Sequence, residues 1–491
     1  MKQKFNFSFL NLGCTKNLVD TQYLMGNIFS LWANNPNYHV QYVADPYDKE
    51  AEFVFLNTCG FIKTGRDEMM ATIEKLAGMH LGASNKKIYL LGCGLQYFKS
   101  WTTSHTEGFD QILKHTNIHC ISRNDFENIT LTNLIKGYNS SNFEILTSPI
   151  FWNNQTSPNL LQISQSPSNL PISSKSPNLL RAYTNAAYGF EYLKIAEWCD
   201  NNCTFCIIPK LRGKQKSIPI ENILIEIKNM LSAGIQEIIL IAQDTGRYGT
   251  DLYGEPTLMK LLSEIDKIPG KFRYKLLYLY PDTINKDVIR HFSHLKKFIP
   301  YFDIPFQHIS KNVLKKMWRF VGEDNIFPNY PAMISEIRKT FPRSFIRTNI
   351  IIGFPWETEK DFQELKKFIQ EADFDNIALF EYHDEPLAAS SKLPHKVPEN
   401  IIRKRFLQLD TIVDQQITTK EHARKGQTET GFVMNIKSAT RDPHSAILLV
   451  VRPALHAPEM DPYDTITLEQ ITKVFNDTWT VSIGDKITYK V

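Results

Sequence analysis

Three closely spaced cysteines constrain this chain more than any other feature of its sequence. Cys199, Cys203 and Cys206 stand at C-x3-C-x2-C spacing, directly after an apolar run, 191–196, that predicts a strand. A short loop after a strand carries its thiols at the carboxyl end, where α/β sheets and barrels place their chemistry. Because iron–sulfur clusters are held by thiolates, three from one loop can hold three irons of a four-iron cluster. The fourth iron is then open to another ligand.

A structural zinc site is the simpler alternative for the same loop. Such sites normally close their shell with four Cys or His ligands, arranged as two pairs. No second pair follows here, since the next histidine is His291. The spacing therefore favours an iron–sulfur cluster over zinc.

Length, charge and cysteine number limit the class of protein. The 491 residues are enough for two to four domains, and a formal net charge of +4 neither requires nor excludes a nucleic-acid partner. Seven cysteines are too few for a disulfide scaffold and indicate ligands in a reducing compartment, with the cytoplasm as the expected location. We predict no signal peptide, because the basic start lacks a long apolar core and a small-residue cleavage site. We predict no membrane span or membrane partner, because no apolar run reaches about 18 residues.

A second set of cysteines follows three predicted strands near the start of the chain. Cys14, Cys59 and Cys93 each come directly after an apolar strand-like run, and predicted helices separate the runs. Because the carboxyl ends of parallel strands share one edge of a sheet, these thiols are expected to converge on a second metal site. A buried apolar cysteine is the alternative for any one of them. Cys120 does not fit this pattern and is predicted to be structural.

The chain is predicted to be α/β with three folded parts. Residues 1–137 predict a parallel α/β sheet domain, and residues 138–185 form a linker rich in Ser, Asn and Pro. Residues 186–419 contain six βα units, which predict a partial, open (β/α)6 barrel. Residues 420–491 contain short strands typical of a small all-β barrel that holds a macromolecule.

Polar residues gather where the predicted barrel strands end. This group consists of Gln243, Asp244, Gln307, His308, Gly353 and Glu357. Ends of barrel strands are typical catalytic or binding positions, although an ordinary polar loop residue is an equal alternative for each.

The quoted motifs resemble those of the radical S-adenosylmethionine (SAM) methylthiotransferases over nearly the whole chain except the linker. The barrel loop matches C-x3-C-x-aromatic-C, with Phe205 as the aromatic residue. Other matching stretches are Leu-Gly-Cys-Thr-Lys-Asn at 12–17, Asn-Thr-Cys-Gly at 57–60, Leu-Gly-Cys at 91–93, Gln-Asp-Thr at 243–245, Asp-Ile-Pro-Phe-Gln-His at 303–308, Arg-Thr at 347–348 and Gly-Phe-Pro at 353–355.

This resemblance implies two 4Fe-4S clusters and SAM as cofactors. The cluster on Cys199, Cys203 and Cys206 would reduce SAM to a 5′-deoxyadenosyl radical, and an auxiliary cluster on Cys14, Cys59 and Cys93 would carry the sulfur. Phe205 is implied to lie along the adenine. Gln243, Arg347 and Gly353 are weaker candidates for SAM contacts. An electron donor and a sulfur source are implied as partners, both unidentified.

Two branches of this family differ in their macromolecular substrate. The first-cysteine motif and the stretch Ala-Pro-Glu-Met-Asp at 457–461 are similar to the branch that methylthiolates the β-carbon of an aspartate on ribosomal protein S-twelve. The alternative substrate is an isopentenyl-type adenosine in transfer RNA. A non-catalytic metal protein that binds ribosomes is the alternative from another class. The last domain, similar to a TRAM domain, is expected to hold the substrate, with Glu459 and Asp461 facing its Lys and Arg residues.

Two tryptophans depart from the family pattern. Trp198 and Trp356 stand where the family has glycine, before the first barrel cysteine and after the fifth barrel strand. Both add bulk near the expected SAM site. We predict that Trp356 packs outside the SAM pocket, because tryptophan is mostly a buried contact residue.

Overall fold

The computed structural model describes residues 3–33, 38–78, 86–100, 117–121, 134, 181–319, 329–438, 447–475 and 481–491. Most of the predicted linker, 138–180, lies outside these ranges. The described residues form an N-terminal parallel sheet, a central parallel sheet and a C-terminal antiparallel sheet, as the sequence predicts. No helix among them is long and apolar enough to cross a membrane.

The N-terminal domain is a five-stranded parallel sheet with helices on its faces. Its elements are β1 Gln3–Asn11, α1 Thr15–Ala33, β2 Tyr38–Tyr42, β3 Phe53–Thr58, α2 Lys63–Gly78, β4 Lys87–Gly92, α3 Cys93–Ser100 and β5 Ile118–Cys120. The strand order is β2-β1-β3-β4-β5. Every residue of β3 is buried, as expected for a parallel strand covered on both faces. Cys120 lies in β5 among the apolar side chains of one face, which agrees with a structural role.

The central domain is a six-stranded parallel sheet wrapped by helices. Its main strands are β6 Phe190–Lys194, β9 Glu237–Ile241, β10 Arg273–Leu276, β11 Phe298–Asp303, β12 Phe345–Ile352 and β13 Asn376–Glu381, with a small ribbon of β7 Ala196–Glu197 and β8 Lys216–Ser217. The main strands pair in chain order, and β6 and β13 are the edges. This confirms the open, six-stranded partial barrel.

Eight α-helices of the central domain are described, and most of them cover the outer face of its sheet. They are α4 Ile208–Arg212, α5 Ile220–Ser232, α6 Thr250–Tyr253, α7 Leu258–Lys267, α8 Lys286–Ser293, α9 Lys311–Lys316, α10 Tyr330–Thr340 and α11 Glu359–Glu371. Alternate strand residues face opposite sides of a sheet. Ile238 and Leu240 of β9 therefore pack in the large apolar core that includes residues of α5 and α7 to α11, whereas Ile239 and Ile241 lie in a second core inside the barrel.

The last domain follows a long helix, α12 Glu399–Arg424, that packs on β13 and α11. This helix continues through position 420, and strands begin at Thr428. They are β14 Thr428–Ser438, β15 Ile447–Pro453, β16 Asp464–Thr467, β17 Ile471–Val474 and β18 Lys486–Lys490, in the order β16-β15-β14-β18-β17. Neighbouring strands of this sheet pair antiparallel, which confirms a small all-β domain.

The loop between β15 and β16 inserts into the lower end of the barrel, where the strands begin; we call this end the barrel floor. Ala457 of the loop belongs to the same apolar core as the barrel interior. Lys275 donates hydrogen bonds to the carbonyls of residues 454–456, the shortest 2.6 Å to His456. Glu237 pairs with Lys275 and Arg452 at 3.1 Å each, and all three side chains are buried. The β-domain is therefore docked on the barrel by buried charges.

The position predicted for Asp461 is wrong. Its carboxylate is buried, accepts the backbone N–H of Ala457 at 2.7 Å and accepts Asn376 Nδ2 at 2.7 Å. Asp461 thus folds its own loop and attaches it to the start of β13, because a short carboxylate satisfies buried N–H donors well. Glu459 remains exposed, so its pairing with a substrate stays a prediction.

Candidate iron–sulfur and SAM site

The loop with Cys199, Cys203 and Cys206 lies at the carboxyl end of β6, at the opposite opening that we call the barrel mouth. Asn201 Nδ2 donates to Asp244 Oδ2 at 2.7 Å, which attaches the loop to the end of β9. The Thr204 backbone N–H and hydroxyl donate to the carbonyls of Met317 and Lys316. The loop is therefore fixed to structure on both sides before any cofactor binds.

The electrostatics of this loop suit ligands of a cationic group. Burial raises the pKa of Cys199 to about 11, and the charges of Asp244 and Cys203 contribute to this rise. Burial also raises the pKa of Cys206 to about 12, with contributions from the neighbouring Cys203 and Cys199. Buried thiols close to one another do not ionise together unless a positive charge offsets the repulsion. Iron supplies that charge when it is bound, so the donor set fits an iron–sulfur cluster.

The second set of thiols comes from three adjacent strands. Cys14 follows β1, Cys59 follows β3 and Cys93 follows β4, and the order β1-β3-β4 makes these strands neighbours. Burial raises the pKa of Cys59, and the nearby Cys93 and Cys14 raise it further. The sheet therefore brings the three thiols close together, as predicted.

Two glycines keep the space around these thiols open. A Cβ at Gly65 would lie 3.1 Å from Cys59 Sγ, and one at Gly60 would lie 2.3 Å from the carbonyl oxygen of Cys93. A side chain at either position would displace the residue that carries a thiol. The close approach of Cys93 to Gly60 and of Cys59 to Gly65 explains why both positions are glycine.

Asparagines of the two N-terminal motifs connect the three cysteine turns. Asn17 Nδ2 donates to the Thr58 carbonyl at 3.1 Å, and Asn57 Nδ2 donates to the Asn17 carbonyl at 2.8 Å. Cys93 Sγ lies 3.5 Å from Asn17 Oδ1. The motif asparagines therefore connect the turns that carry the three cysteines.

Both cysteine sets lie on one side of the molecule. Tyr97 of α3, the helix that Cys93 begins, packs with Ile207 and Leu211, which directly follow Cys206. Lys16, two residues after Cys14, lies 3.2 Å over the ring of Tyr278 at the barrel mouth. The N-terminal domain therefore presents its thiols towards the barrel mouth.

The four residues that are predicted to contact SAM have different surroundings in the structure. Gln243 lies at the end of β9, and its Oε1 is buried with no hydrogen-bond partner among the described residues, as expected for a group that awaits a ligand. Phe205 packs against Val313, Met317 and Phe354, so its ring is already in contact with protein on at least one side.

Gly353 and Arg347 are explained by protein contacts. Gly353 has a φ of 79°, and a Cβ there would lie 2.3 Å from Ile402 Cγ1. Arg347 is the third residue of β12, and its Nη1 donates to Asp303 and Asn349 at 2.9 and 3.0 Å. The structure does not bring Arg347 to the cysteine loop, so its contact with SAM stays a prediction.

The other polar residues at strand ends mostly support the barrel. His308 Nδ1 accepts the Ser310 N–H at 3.0 Å, and its Nε2 lies 3.5 Å from Glu357. Glu357 also pairs with Arg405 at 2.7 Å. Asp244 is different, because it holds the cysteine loop through Asn201. Burial raises its pKa.

Two residues beside the cysteine loop were missed by sequence reasoning. Arg319, just past α9, places Nη1 3.8 Å from Cys203 Sγ, and Tyr280 Oη lies 3.7 Å from the same sulfur. Nothing in the local sequence marks them, since each reaches the loop through folding. Across the described ranges, no three His, Cys, Asp or Glu side chains are grouped closely enough to hold a single metal ion.

Comparison with known proteins gives two matching family profiles. The radical SAM superfamily profile matches residues 193–369, and that of uncharacterized protein family UPF0004 matches residues 6–113. A solved radical S-adenosylmethionine methyltransferase, TsrM from Kitasatospora setae, with cobalamin and a 4Fe-4S cluster bound, aligns with a TM-score of 0.52 at 12% identity. It covers 79% of this chain and 77% of its own. The fold and the cysteine loop together define a radical SAM enzyme.

Curated relatives define the family more narrowly. The ribosomal protein uS12 methylthiotransferase RimO of Chlamydia abortus is 31% identical over 99% of this chain and 94% of its own length. The RimO proteins of Carboxydothermus hydrogenoformans and Clostridium kluyveri are 34% and 36% identical over 82% and 81% of this chain, and 80% and 79% of their own lengths. The chain belongs to the RimO family of radical SAM methylthiotransferases. The family predicted from the cysteine motifs is confirmed.

Proposed function

We propose that this enzyme adds a methylthio group to the β-carbon of an aspartate on ribosomal protein uS12, the S-twelve protein of the small ribosomal subunit. The observation that carries the proposal is the placement of two cysteine sets, from two domains, at one barrel mouth. Such a reaction needs a group that breaks a C–H bond and a group that holds sulfur within reach of the same carbon. One site of each kind fits this arrangement.

The barrel residues would hold the SAM-cleaving centre. Cys199, Cys203 and Cys206 would bind a 4Fe-4S cluster, which supplies the electron that cleaves SAM and so forms the hydrogen-abstracting radical. Gln243 Oε1 would accept a hydrogen bond from SAM, because it is buried and unpaired among the described residues. Phe205 would lie along the adenine.

The N-terminal residues would hold the sulfur donor. We propose that Cys14, Cys59 and Cys93 bind the auxiliary 4Fe-4S cluster, with Asn17 and Asn57 fixing the turns that carry them. Cys14 is the exposed member of the set, which leaves this side of the site open towards the barrel. An electron donor and a sulfur source are required as partners, and a ribosomal substrate places the enzyme in the cytoplasm.

Anaerobic reconstitution followed by mass spectrometry tests this proposal. The iron-loaded enzyme, SAM and a chemical reductant are incubated with uS12 or with transfer RNA carrying an isopentenyl-type adenosine. We expect a methylthio adduct on one aspartate of uS12 and unchanged RNA. Methylthiolation of RNA with none on uS12 would overturn the substrate, and binding of zinc without SAM cleavage would overturn the enzyme class.

A further inference from the structure

Arg319 is a buried cation with no carboxylate in salt-bridge contact in the described part of the chain, and Asp244 and Asp282 act on it only from a greater distance. The residue is 4% exposed. Nη2 donates to the Pro305 carbonyl, and the guanidinium stacks 3.9 Å over the ring of Tyr280. A buried charge is costly unless an anion pairs with it. The anion that Nη1 reaches is the sulfur of Cys203, once that thiol is ionised.

The chain conformation brings Arg319 inward by a strained turn. Trp318, directly before it, has a φ of 54° and is 57% exposed. This left-handed conformation is unfavourable for a bulky residue and persists only when the surroundings impose it. The Arg319 backbone N–H donates to the Leu314 carbonyl at 2.9 Å and closes the turn. The turn leaves the tryptophan outside and directs the guanidinium to the cysteine loop.

Tyr280, from the segment after β10, lies near the same sulfur. It follows β10, is 7% exposed and places Oη 3.7 Å from Cys203 Sγ. Two donors from separate elements therefore meet at one sulfur of the set. For Cys199 the corresponding contact is local, from the Asn201 backbone N–H at 3.4 Å.

We propose that Arg319 and Tyr280 are positioning residues that donate hydrogen bonds to the Cys203 thiolate and raise the reduction potential of the cluster it holds. Reduction adds one electron, and thus one negative charge, to the cluster and its thiolates. Hydrogen bonds and a nearby cation stabilise the more negative state, so the potential becomes less negative. This inference rests on the proposed cluster at Cys199, Cys203 and Cys206 and is independent of the macromolecular substrate.

The competing role for Arg319 is a direct contact with the SAM carboxylate. The geometry disfavours it, because the two terminal nitrogens already contact Pro305 and Cys203 and the guanidinium carbon lies 3.9 Å from the centre of the Tyr280 ring. Moving the side chain to a ligand would break all three contacts. The two roles differ in what they change, which is the potential in one case and the affinity for SAM in the other.

A redox titration followed by electron paramagnetic resonance tests the proposal. The full-length chain is used with Cys14, Cys59 and Cys93 changed to Ala, so that only the barrel cluster gives a signal. Arg319→Gln should lower the reduced-to-oxidised ratio at fixed potential at least tenfold, which is about 59 mV for a one-electron couple. Tyr280→Phe should shift the midpoint in the same direction by a smaller amount.

Matched variants make the outcome decisive. Arg403→Gln removes an exposed arginine on the same domain and should leave the midpoint unchanged. Arg319→Lys keeps the charge and should restore part of the shift. If Arg319→Gln does not retain iron, Tyr280→Phe carries the test alone. An unchanged midpoint at full iron content, or a tenfold weaker SAM dissociation constant with no shift, would overturn the proposal.

Discussion

The two ends of the barrel use polar residues in opposite ways. At the mouth, the Gln243 amide oxygen is buried with no hydrogen-bond partner among the described residues, and burial raises the pKa of Cys199 and of Cys206. At the floor, Glu237 lies between Lys275 and Arg452, and Lys275 donates to backbone carbonyls. Both ends are built on the same six strands. The difference lies in whether the protein itself completes the set of contacts.

This contrast separates residues kept for chemistry from residues kept for assembly. In barrels the carboxyl ends of strands carry the reaction, and the amino ends carry stability. Incomplete polar sets at the mouth indicate ligands that are bound later. Charge pairs that the protein itself forms at the floor indicate a permanent interface with the β-domain. Substitutions at the mouth should therefore reduce activity, whereas substitutions at the floor should reduce stability.

The largest effects are expected from the two cysteine sets. Changing Cys199, Cys203 and Cys206 together to Ala should reduce 5′-deoxyadenosine formation to background and leave about four irons per chain. The matched triple change at Cys14, Cys59 and Cys93 should also leave about four irons. It should keep SAM cleavage and abolish methylthio transfer. Iron analysis and product chromatography check both variants, and 5′-deoxyadenosine from the first one would refute the assignment.

A substitution at the barrel floor should lower the free energy of unfolding and leave the barrel mouth unchanged. Glu237→Gln leaves two buried cations without their carboxylate, and the loss of one partner from a buried pair typically costs about 3–5 kcal/mol. The control is Glu381→Gln, which makes the same chemical change at the exposed pair with Arg403 and should cost at most about 1 kcal/mol. Denaturant unfolding measures both. Equal losses in the two variants would contradict the distinction between floor and surface.

The same carboxylate predicts the direction of a pH effect. Burial alone would raise the pKa of Glu237, but Arg452 and Lys275 hold it below its usual value of 4.5. A carboxylate whose pKa is lowered on folding stabilises the protein above its unfolded pKa and loses that contribution as the pH falls through the folded one. The melting-temperature difference between wild type and Glu237→Gln should therefore narrow below about pH 4.5. A difference that widens on acidification would contradict this sign.

Local patterns in the sequence are sufficient for the strands and the thiols, and insufficient for the interfaces. The six barrel strands are apolar runs followed by helices, and the cysteines follow directly from where the strands end. The loop at 454–463 gives no such signal, because its place is determined by Lys275 and Asn376, which lie far away in sequence. Asp461 was misplaced for this reason, since a charged loop residue is expected to be exposed. Arg319 was missed because it acts through a turn that only folding reveals.

Substitution of the two tryptophans at the mouth tests whether their rings pack only against other protein side chains. Trp198 and Trp356 have φ values of 65° and 74°, in the left-handed region that glycine adopts freely, and the family resemblance predicts glycine at both positions. Relief of this conformation is worth about 1–2 kcal/mol. Trp198 is 2% exposed, and loss of a buried tryptophan costs about 3–5 kcal/mol. Trp198→Gly should therefore destabilise the protein by about 1–4 kcal/mol in denaturant unfolding, and an unchanged or higher stability would show that its ring packs poorly.

Trp356→Gly should have the smallest effect of these changes. Its ring is half-buried and lies 3.9 Å from the ring of His395, with Lys316 Nζ 4.6 Å above it. One such contact is worth about 0.5–1.5 kcal/mol, which the relief of backbone strain offsets. The partners of the ring are protein side chains, so the SAM dissociation constant should change less than tenfold, or about 1.4 kcal/mol. Equilibrium binding of SAM to the iron-loaded variant measures this, with Trp198→Gly as the buried counterpart. A tenfold change in either direction would place the Trp356 ring in the SAM pocket and make this part of the mouth a binding surface.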